Sequence, residues 1–180
     1  MPRERRHRGP RILLGIAVMI VLVAGGFWVL SRFAGGWGVP YFSFTTDRGS
    51  LCTNDFTGYH CDNVSKADVQ WWGDLDLPDS AVVHSSHYKS THDFNLDAVV
   101  TVPKADAAKT YASLRKTFGA CQSGHPTQLD TTGLAQVCVM ANDASDTAGD
   151  AAPLADTLYE ITTGVQKDGA LVIGIHEESR

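Results

Sequence analysis

The sequence predicts an α+β domain that lies outside a membrane, behind a single N-terminal transmembrane helix. Three observations support this fold class. First, an uncharged run of 19 residues spans Ile12 to Leu30. Second, apolar and polar residues alternate from Phe94 to Val102, with Val99 as the exception. Third, apolar residues at helical spacing form a stripe from Ala107 to Phe118. Alternation is typical of a strand with one wet face, and the stripe of a helix with one buried face. We therefore expect an antiparallel sheet of about five strands with one main packed helix.

The run from Ile12 to Leu30 has the length of a membrane span. As a helix it measures about 28 Å at ~1.5 Å per residue, close to the ~30 Å hydrocarbon core of a bilayer. Residues 1–11 carry five arginines and one glutamate, whereas Arg32 alone follows the run before Asp47. Basic residues stay on the cytoplasmic side, so we predict a cytoplasmic tail and an extracellular C-terminal part. Aromatic residues suit the outer interface: Phe27, Trp28, Phe33 and Trp37.

A cleaved signal peptide is the alternative to a membrane anchor. Signal peptides carry apolar regions of only ~7–15 residues before a small-x-small cleavage site. Cleavage after Ala34 would place Arg32 in that site, so the sequence favours an uncleaved anchor. Cys52 lies too far beyond the apolar run for a lipoprotein, and the flanking charges disfavour a buried helix of a soluble protein.

The exported part is acidic. We predict a juxtamembrane linker over residues 31–50, with a strand near Tyr41–Phe44, and an extracytoplasmic domain over residues 51–180. Beyond Arg32 the chain has nine Lys and Arg against 19 Asp and Glu. Such a domain repels nucleic acid, which excludes that class of partner.

All four cysteines fall in the exported part: Cys52, Cys61, Cys121 and Cys138. An even number in an oxidising compartment predicts two disulfides. Three pairings are open, and closeness in sequence favours Cys52–Cys61 and Cys121–Cys138. The chain has no Cys-x-x-Cys, so we predict structural bridges rather than a redox site or a zinc ribbon.

The first elements of the domain follow from caps and alternation. Leu51 to Asn63 is predicted to be a cysteine-bounded loop. Ser65 suits the N-cap of a short helix, Lys66 to Trp72, and Gly73 suits its end. A strand from Val82 to Tyr88 then precedes the alternating strand and pairs with it across a turn.

The later elements comprise the main helix and three strands. The helix is predicted over Ala105–Phe118, with Gly119 at its C-terminal end, and a surface loop over 141–152. Asp168-Gly169 between two apolar runs is a strong hairpin signal. The predicted strands are Gln136–Met140, Thr157–Val165 and Ala170–His176.

A group of histidines is the first candidate for chemistry. His84, His87 and His92 lie beside Asp93. On a straight strand His84 and His87 point to opposite faces, whereas His84 and His92 share parity and can meet across a hairpin. Two ligands fall short of the three that a catalytic zinc site needs. We predict no metal site and no cofactor, and keep metal or small-ligand capture through His84 and His92 as an alternative.

Two aspartate clusters and one tryptophan pair complete the candidates. Neither cluster matches the spacing of an EF-hand loop, so we expect solvated loops. If this segment is helical, the side chains of Trp71 and Trp72 diverge by ~100° and cannot easily share one core face. Either both still pack in the core, or one of them is exposed. An exposed tryptophan would suit a carbohydrate or a protein partner. The clusters are Asp74, Asp76 and Asp79, and Asp143, Asp146 and Asp150.

Three short runs carry a family resemblance: Leu77-Pro78-x-x-Ala81, Val102-Pro103-x-x-Asp106-Ala107 and Phe118-Gly119-x-Cys121. With the arginine-rich start and the Ala, Asp and Thr content, the chain resembles single-pass, membrane-anchored exported proteins of high-GC Gram-positive bacteria. The resemblance implies a membrane location, and it implies no activity and no functional residue.

The function predicted from the sequence is a non-catalytic binding or interaction module with a protein partner in the cell envelope. The chain has no Gly-x-Ser-x-Gly, no His-Glu-x-x-His and no glycine-rich phosphate loop. Paired carboxylates need not be close in sequence. A cell-wall or carbohydrate-active enzyme that uses dispersed aspartates therefore stays open as the alternative.

Overall fold

The computed structural model describes residues 8–142 and 156–179. Asn142 ends the first range, so most of the predicted loop over 141–152, with Asp143, Asp146 and Asp150, lies outside the described residues. The elements are α1 (Arg8–Phe33), β1 (Ser43–Thr45), β2 (Leu51–Asn54), β3 (Tyr59–Asp62), α2 (Lys66–Trp72), β4 (Val82–Ser90), β5 (Phe94–Val102), α3 (Lys104–Phe118), β6 (Ala135–Ala141), β7 (Thr157–Val165) and β8 (Leu171–Ser179).

The strands form one antiparallel sheet in the order β1-β2-β3-β4-β5-β8-β7-β6. The α+β class is confirmed, but the sheet has eight strands and not five. The sequence predicts the five longer strands and a strand near Tyr41–Phe44, where β1 begins at Ser43. It misses the short β2 and β3, because four residues cannot display a period. The predicted cysteine loop is a hairpin in which Cys52 lies opposite Cys61.

Two helices cover one face of the sheet, which we call the covered face. The core there is built from alternate residues of the strands and from α2 and α3, and Trp72 stacks on Tyr88 with ring centroids 3.8 Å apart. Burial, reinforced by Tyr59, raises the pKa of Tyr88 to about 12. Fully buried side chains of this core include Val69, Leu96, Val100, Val102, Ile161 and Ile173.

Both favoured disulfides are present. Cys52 bonds to Cys61 and Cys121 to Cys138, and no cysteine among the described residues is free. The first bridge joins neighbouring strands near one end of the sheet. The second fastens the segment after α3 to β6, the strand at the opposite edge.

The carboxylate of Asp68 joins α2 to the turn between β1 and β2. It is buried, and its Oδ2 accepts hydrogen bonds from Thr46 Oγ1 and Ser50 Oγ, each at 2.5 Å, and from Ser65 Oγ at 3.2 Å. Ser65 also caps α2 as predicted, since its Oγ accepts from the Asp68 N–H. These bonds replace the water that a buried carboxylate loses.

The segment after α3 crosses to the other face of the sheet. Gln122 N donates to Val139 O at the edge of β6, and Thr127 Oγ1 then lies 2.6 Å from Thr162 Oγ1 on β7. We call residues 122–134 the strap and this side of the sheet the open face. Leu129 packs over Gly174 and Leu134 over Gly164, at positions where a Cβ would meet those leucines.

An apolar helix stands before the domain. Ile12–Phe33 has a mean hydropathy of 2.7 and none of it is buried within the protein. Such a helix near the N-terminus indicates a membrane anchor or a signal sequence. Of the predicted linker, residues 31–50, the first three residues belong to α1, and the rest contributes β1, which pairs with β2.

Candidate functional site

Five titratable side chains form a row across the open face. Asp62 lies opposite His87, His87 opposite Asp97, Asp97 opposite His176, and His176 opposite Glu160. The row therefore crosses β3, β4, β5, β8 and β7, with carboxylates and imidazoles in alternation. Directly opposed residues in a sheet have Cβ atoms ~4.5–5.5 Å apart, which brings these groups within interaction distance.

Two histidines of the row are held by carboxylates. His176 Nδ1 lies 2.6 Å from Asp97 Oδ1, and His87 Nδ1 lies 2.8 Å from Asp62 Oδ1. An ionised carboxylate only accepts, so each Nδ1 carries the hydrogen and each Nε2 is directed away from that partner. His176 Nε2 also lies 4.0 Å from Glu178 Oε2. Both rings are thus fixed in orientation before any ligand arrives.

The strap makes this part of the row into a pocket. Gln128 and Leu129 form one wall, and the floor is made by β4, β5, β8 and β7, with Asp97, His176 and Glu160 among its lining residues. Gln128 N donates to Glu160 Oε1 at 3.0 Å. The pocket holds about 330 Å³, at the lower end of the ~300–1,000 Å³ of small-molecule sites.

The bare backbone of Gly174 gives the pocket its depth. Gly174 lies on the floor between Val99 and Thr162, and Leu129 of the strap rests on it. A side chain here would push the strap outward. The row thus lies on paired strands, and the wall belongs to a strap that the Cys121–Cys138 bridge fastens to β6. The pocket is therefore preformed.

The structure does not bring His84 and His92 together. His84 Nε2 hydrogen-bonds to Thr101 Oγ1 near the start of β4, whereas His92 is exposed in the turn beyond its end. The expectation that His84 and His87 face opposite ways is wrong, because a β-bulge between Val83 and Ser85 shifts the alternation. Both histidines are on the open face.

The remaining predicted residues are dispersed. Asp74, Asp76 and Asp79 are exposed and alternate with the buried Leu75 and Leu77, so the three carboxylates do not converge. Among the described residues no group of three His, Cys, Asp or Glu side chains has the geometry to hold a metal ion.

The two tryptophans separate. Trp72 packs on Tyr88 in the core, whereas Trp71 is 64% exposed, with the Arg48 guanidinium 3.9 Å from its ring centroid. The role of Trp71 as an interaction residue stays a prediction.

The row itself was missed by sequence reasoning, because only the strand order places Asp97 beside His176.

A buried carboxyl group occupies the covered face. Glu177 is 5% exposed, and its Oε1 has no hydrogen-bond partner within the described part of the chain. Burial, with a smaller contribution from Asp74 and an opposing one from His176, raises the pKa of Glu177 to about 7. Burial and then Glu177 raise the pKa of Tyr159. Glu177 lies in the core, and neither Glu177 nor Tyr159 lines the open-face pocket.

A second cavity of about 430 Å³ lies between α3 and the β6–β7 edge. Its walls come from Lys104, Tyr111, Gln136, Thr163 and neighbouring small or apolar residues. No carboxylate or imidazole lines it, so the open-face pocket is the better candidate for chemistry.

No protein-family model matches this chain. No curated protein and no solved structure matches it either.

Proposed function

We propose that the protein is a single-pass, membrane-anchored module whose extracytoplasmic domain binds a small cationic ligand in the open-face pocket without catalysis. The observation that carries this proposal is the row of alternating carboxylates and histidines beneath the strap. The apolar helix and the two disulfides support a membrane-bound domain in an oxidising compartment. The N-terminus of this arrangement is cytoplasmic.

The charges of the row favour a cation. Asp97 and Glu160 line the pocket, while Asp62 and Glu178 lie around it, each against a histidine. An ammonium group in the pocket replaces its lost water by charge-assisted hydrogen bonds to these carboxylates. An anion at the same place would be repelled. The size of the pocket suits a ligand with a short chain.

The test is a titration of the full chain in detergent micelles with 1,4-diaminobutane, followed by NMR signals of the histidine rings. We expect the His87 and His176 signals to move with one Kd. Asp97→Asn should raise that Kd about tenfold, equivalent to ~1.4 kcal/mol, because it removes the carboxylate at the centre of the row.

Two controls make the test selective. Asp93→Asn removes an exposed carboxylate in the turn beyond β4 and should leave the Kd unchanged. Glutarate, an anion of similar length, should not bind. Equal response to both compounds, or an unchanged Kd in Asp97→Asn, would contradict a cation site.

One observation favours glycoside hydrolysis as the second candidate function. Asp97 and Glu160 lie on β5 and β7, separated by β8. Side chains on strands two apart, at ~4.8 Å per strand, can place their carboxyl groups at the ~6.5–9.5 Å separation that inverting glycosidases use. Release of reducing ends from purified cell wall, lost in both Asp97→Asn and Glu160→Gln, would establish the enzyme and contradict a purely binding role.

A further inference from the structure

The end of the membrane helix is fastened to the domain. Ala34, the residue after α1, is 1% exposed, and Val39 N donates to Ala34 O. Asn54 Nδ2 donates to Gly35 O at 2.8 Å and to Phe42 O at 3.0 Å. A side chain at Gly35 would collide with the Ser43 carbonyl. The backbone of β1 and β2 is therefore locked to the helix end.

Exposed aromatic rings surround this junction. Trp37 is 63% exposed, Tyr41 73% and Phe56 77%. Tyr41 and Phe56 meet edge to face with ring centroids 5.3 Å apart, and Trp37 stacks on Phe33. Phe56 belongs to the β2–β3 turn, far from α1 in sequence, yet it joins the same patch. We call Trp37, Tyr41 and Phe56 the junction patch.

The depth of the junction patch follows from the hydrogen bonds. If Ile12–Phe33 spans the ~30 Å hydrocarbon core, Gly35 lies within the ~5–8 Å interfacial layer outside it. Asn54 lies at the same depth because it binds Gly35 O. Phe56 follows two residues later, at most ~7 Å away along an extended chain. Tryptophan and tyrosine rings such as Trp37 and Tyr41 favour this layer, and Phe56 packs against Tyr41.

We propose that the junction patch rests in the outer interfacial layer of the membrane that α1 crosses, so that the domain is held against the bilayer in one orientation. This inference rests on the membrane anchoring of the proposed function. The exported part of the chain is acidic, whereas the junction patch is aromatic. We therefore expect the patch to contact lipid that carries no net charge, and we expect this contact to be independent of salt concentration. A second copy of this chain is the competing occupant.

The test is photocrosslinking of the full chain in pure phosphatidylcholine vesicles, with benzoylphenylalanine at position 56. The matched control carries the same residue at position 71, where Trp71 is also largely exposed. We expect a lipid adduct by mass spectrometry from position 56, at low and high salt, and none from position 71. A chain-to-chain adduct from position 56, no lipid adduct, or equal lipid adducts from both positions would overturn the proposal.

Flotation of the same vesicles tests membrane anchoring separately from the lipid contact of the junction patch. If the chain does not float with lipid, the membrane anchor fails and this inference fails with it. If the chain floats but position 56 does not reach lipid, the anchor stands and the junction patch is refuted. A double variant, Tyr41→Ser with Phe56→Ser, should keep the fold and increase the rotational mobility of the domain on the vesicle.

Discussion

At the scale of single residues, the burial of Glu177 links its ionisation to folding. Its side chain shares the covered face with Ile173 and Ile175, although a carboxylate loses its hydration there. The folded state therefore binds the proton of Glu177 more strongly than the unfolded state does. The contribution of Glu177 to the unfolding free energy is therefore present at acid pH and is lost as the pH rises from 4.5 to about 7.

Glu177→Gln should remove this dependence. The shift from 4.5 to about 7 corresponds to ~3 kcal/mol of unfolding free energy at ~1.4 kcal/mol per pH unit. We expect the unfolding free energy of the variant to exceed that of the natural chain by up to that amount at pH 8, and by little at pH 4.5. Urea unfolding in detergent, followed by tryptophan fluorescence, measures this difference. Glu178→Gln, on the open face, is the control and should lack this gain.

The sequence predicts the face of some site residues and not their neighbours. Alternation correctly assigns Asp97 to the wet face of its strand. Parity separates His87 from His84, and a β-bulge invalidates that separation. No local motif singles out His176. Local pattern cannot reveal that Asp97 meets His176, because that contact depends on which strands are adjacent.

At the scale of elements, the strap decides whether the open face holds a pocket. Leu129 rests on Gly174 near the row, and Leu134 rests on Gly164 farther along β7. Nothing in the spacing of these glycines predicts this role, because glycine in a strand indicates a close approach without naming the partner. The long helices and strands were predictable from period, whereas the strap has none.

Gly174→Ala should open the pocket. The new Cβ would lie 3.0 Å from Leu129 Cβ, and such overpacking costs about 1–3 kcal/mol. We expect the Kd for 1,4-diaminobutane to rise, measured by the same NMR titration. Gly164→Ala is the matched comparison, since it should lower the unfolding free energy through Leu134 while leaving the Kd unchanged. Equal Kd values in both variants and the natural chain would contradict the role of the strap.

At the scale of the whole molecule, the fold joins the apolar helix α1 to the sheet without a free linker. The class of fold and the disulfide pairs were predictable, because the period of apolar residues and the spacing of the cysteines can be read from short stretches of sequence. The packing of residues 34–50 on the sheet was not, since Gly35 and Asn54 become neighbours only through the pairing of β1 with β2.

The proposed topology predicts a clear difference between the two ends of the chain. A tag before Met1 should be protected from protease added to intact cells, whereas a tag after Arg180 should be digested, because the arginine-rich tail stays inside. The intact mass of the chain with the C-terminal tag should include residues 1–34. A product that begins near Gly35 would instead establish a cleaved signal sequence.

The position of β8 has a consequence for how the protein matures during export. The last strand enters the sheet between β5 and β7, with Asn95 opposite Glu178 and Val102 opposite Leu171. When the N-terminus is retained, the C-terminal residues cross the membrane last, so β5 waits with an unpaired edge. His176 arrives with that final strand. Under the proposed topology and function, the ligand site would therefore form only after translocation ends, and a chain stalled in the translocation channel should not bind.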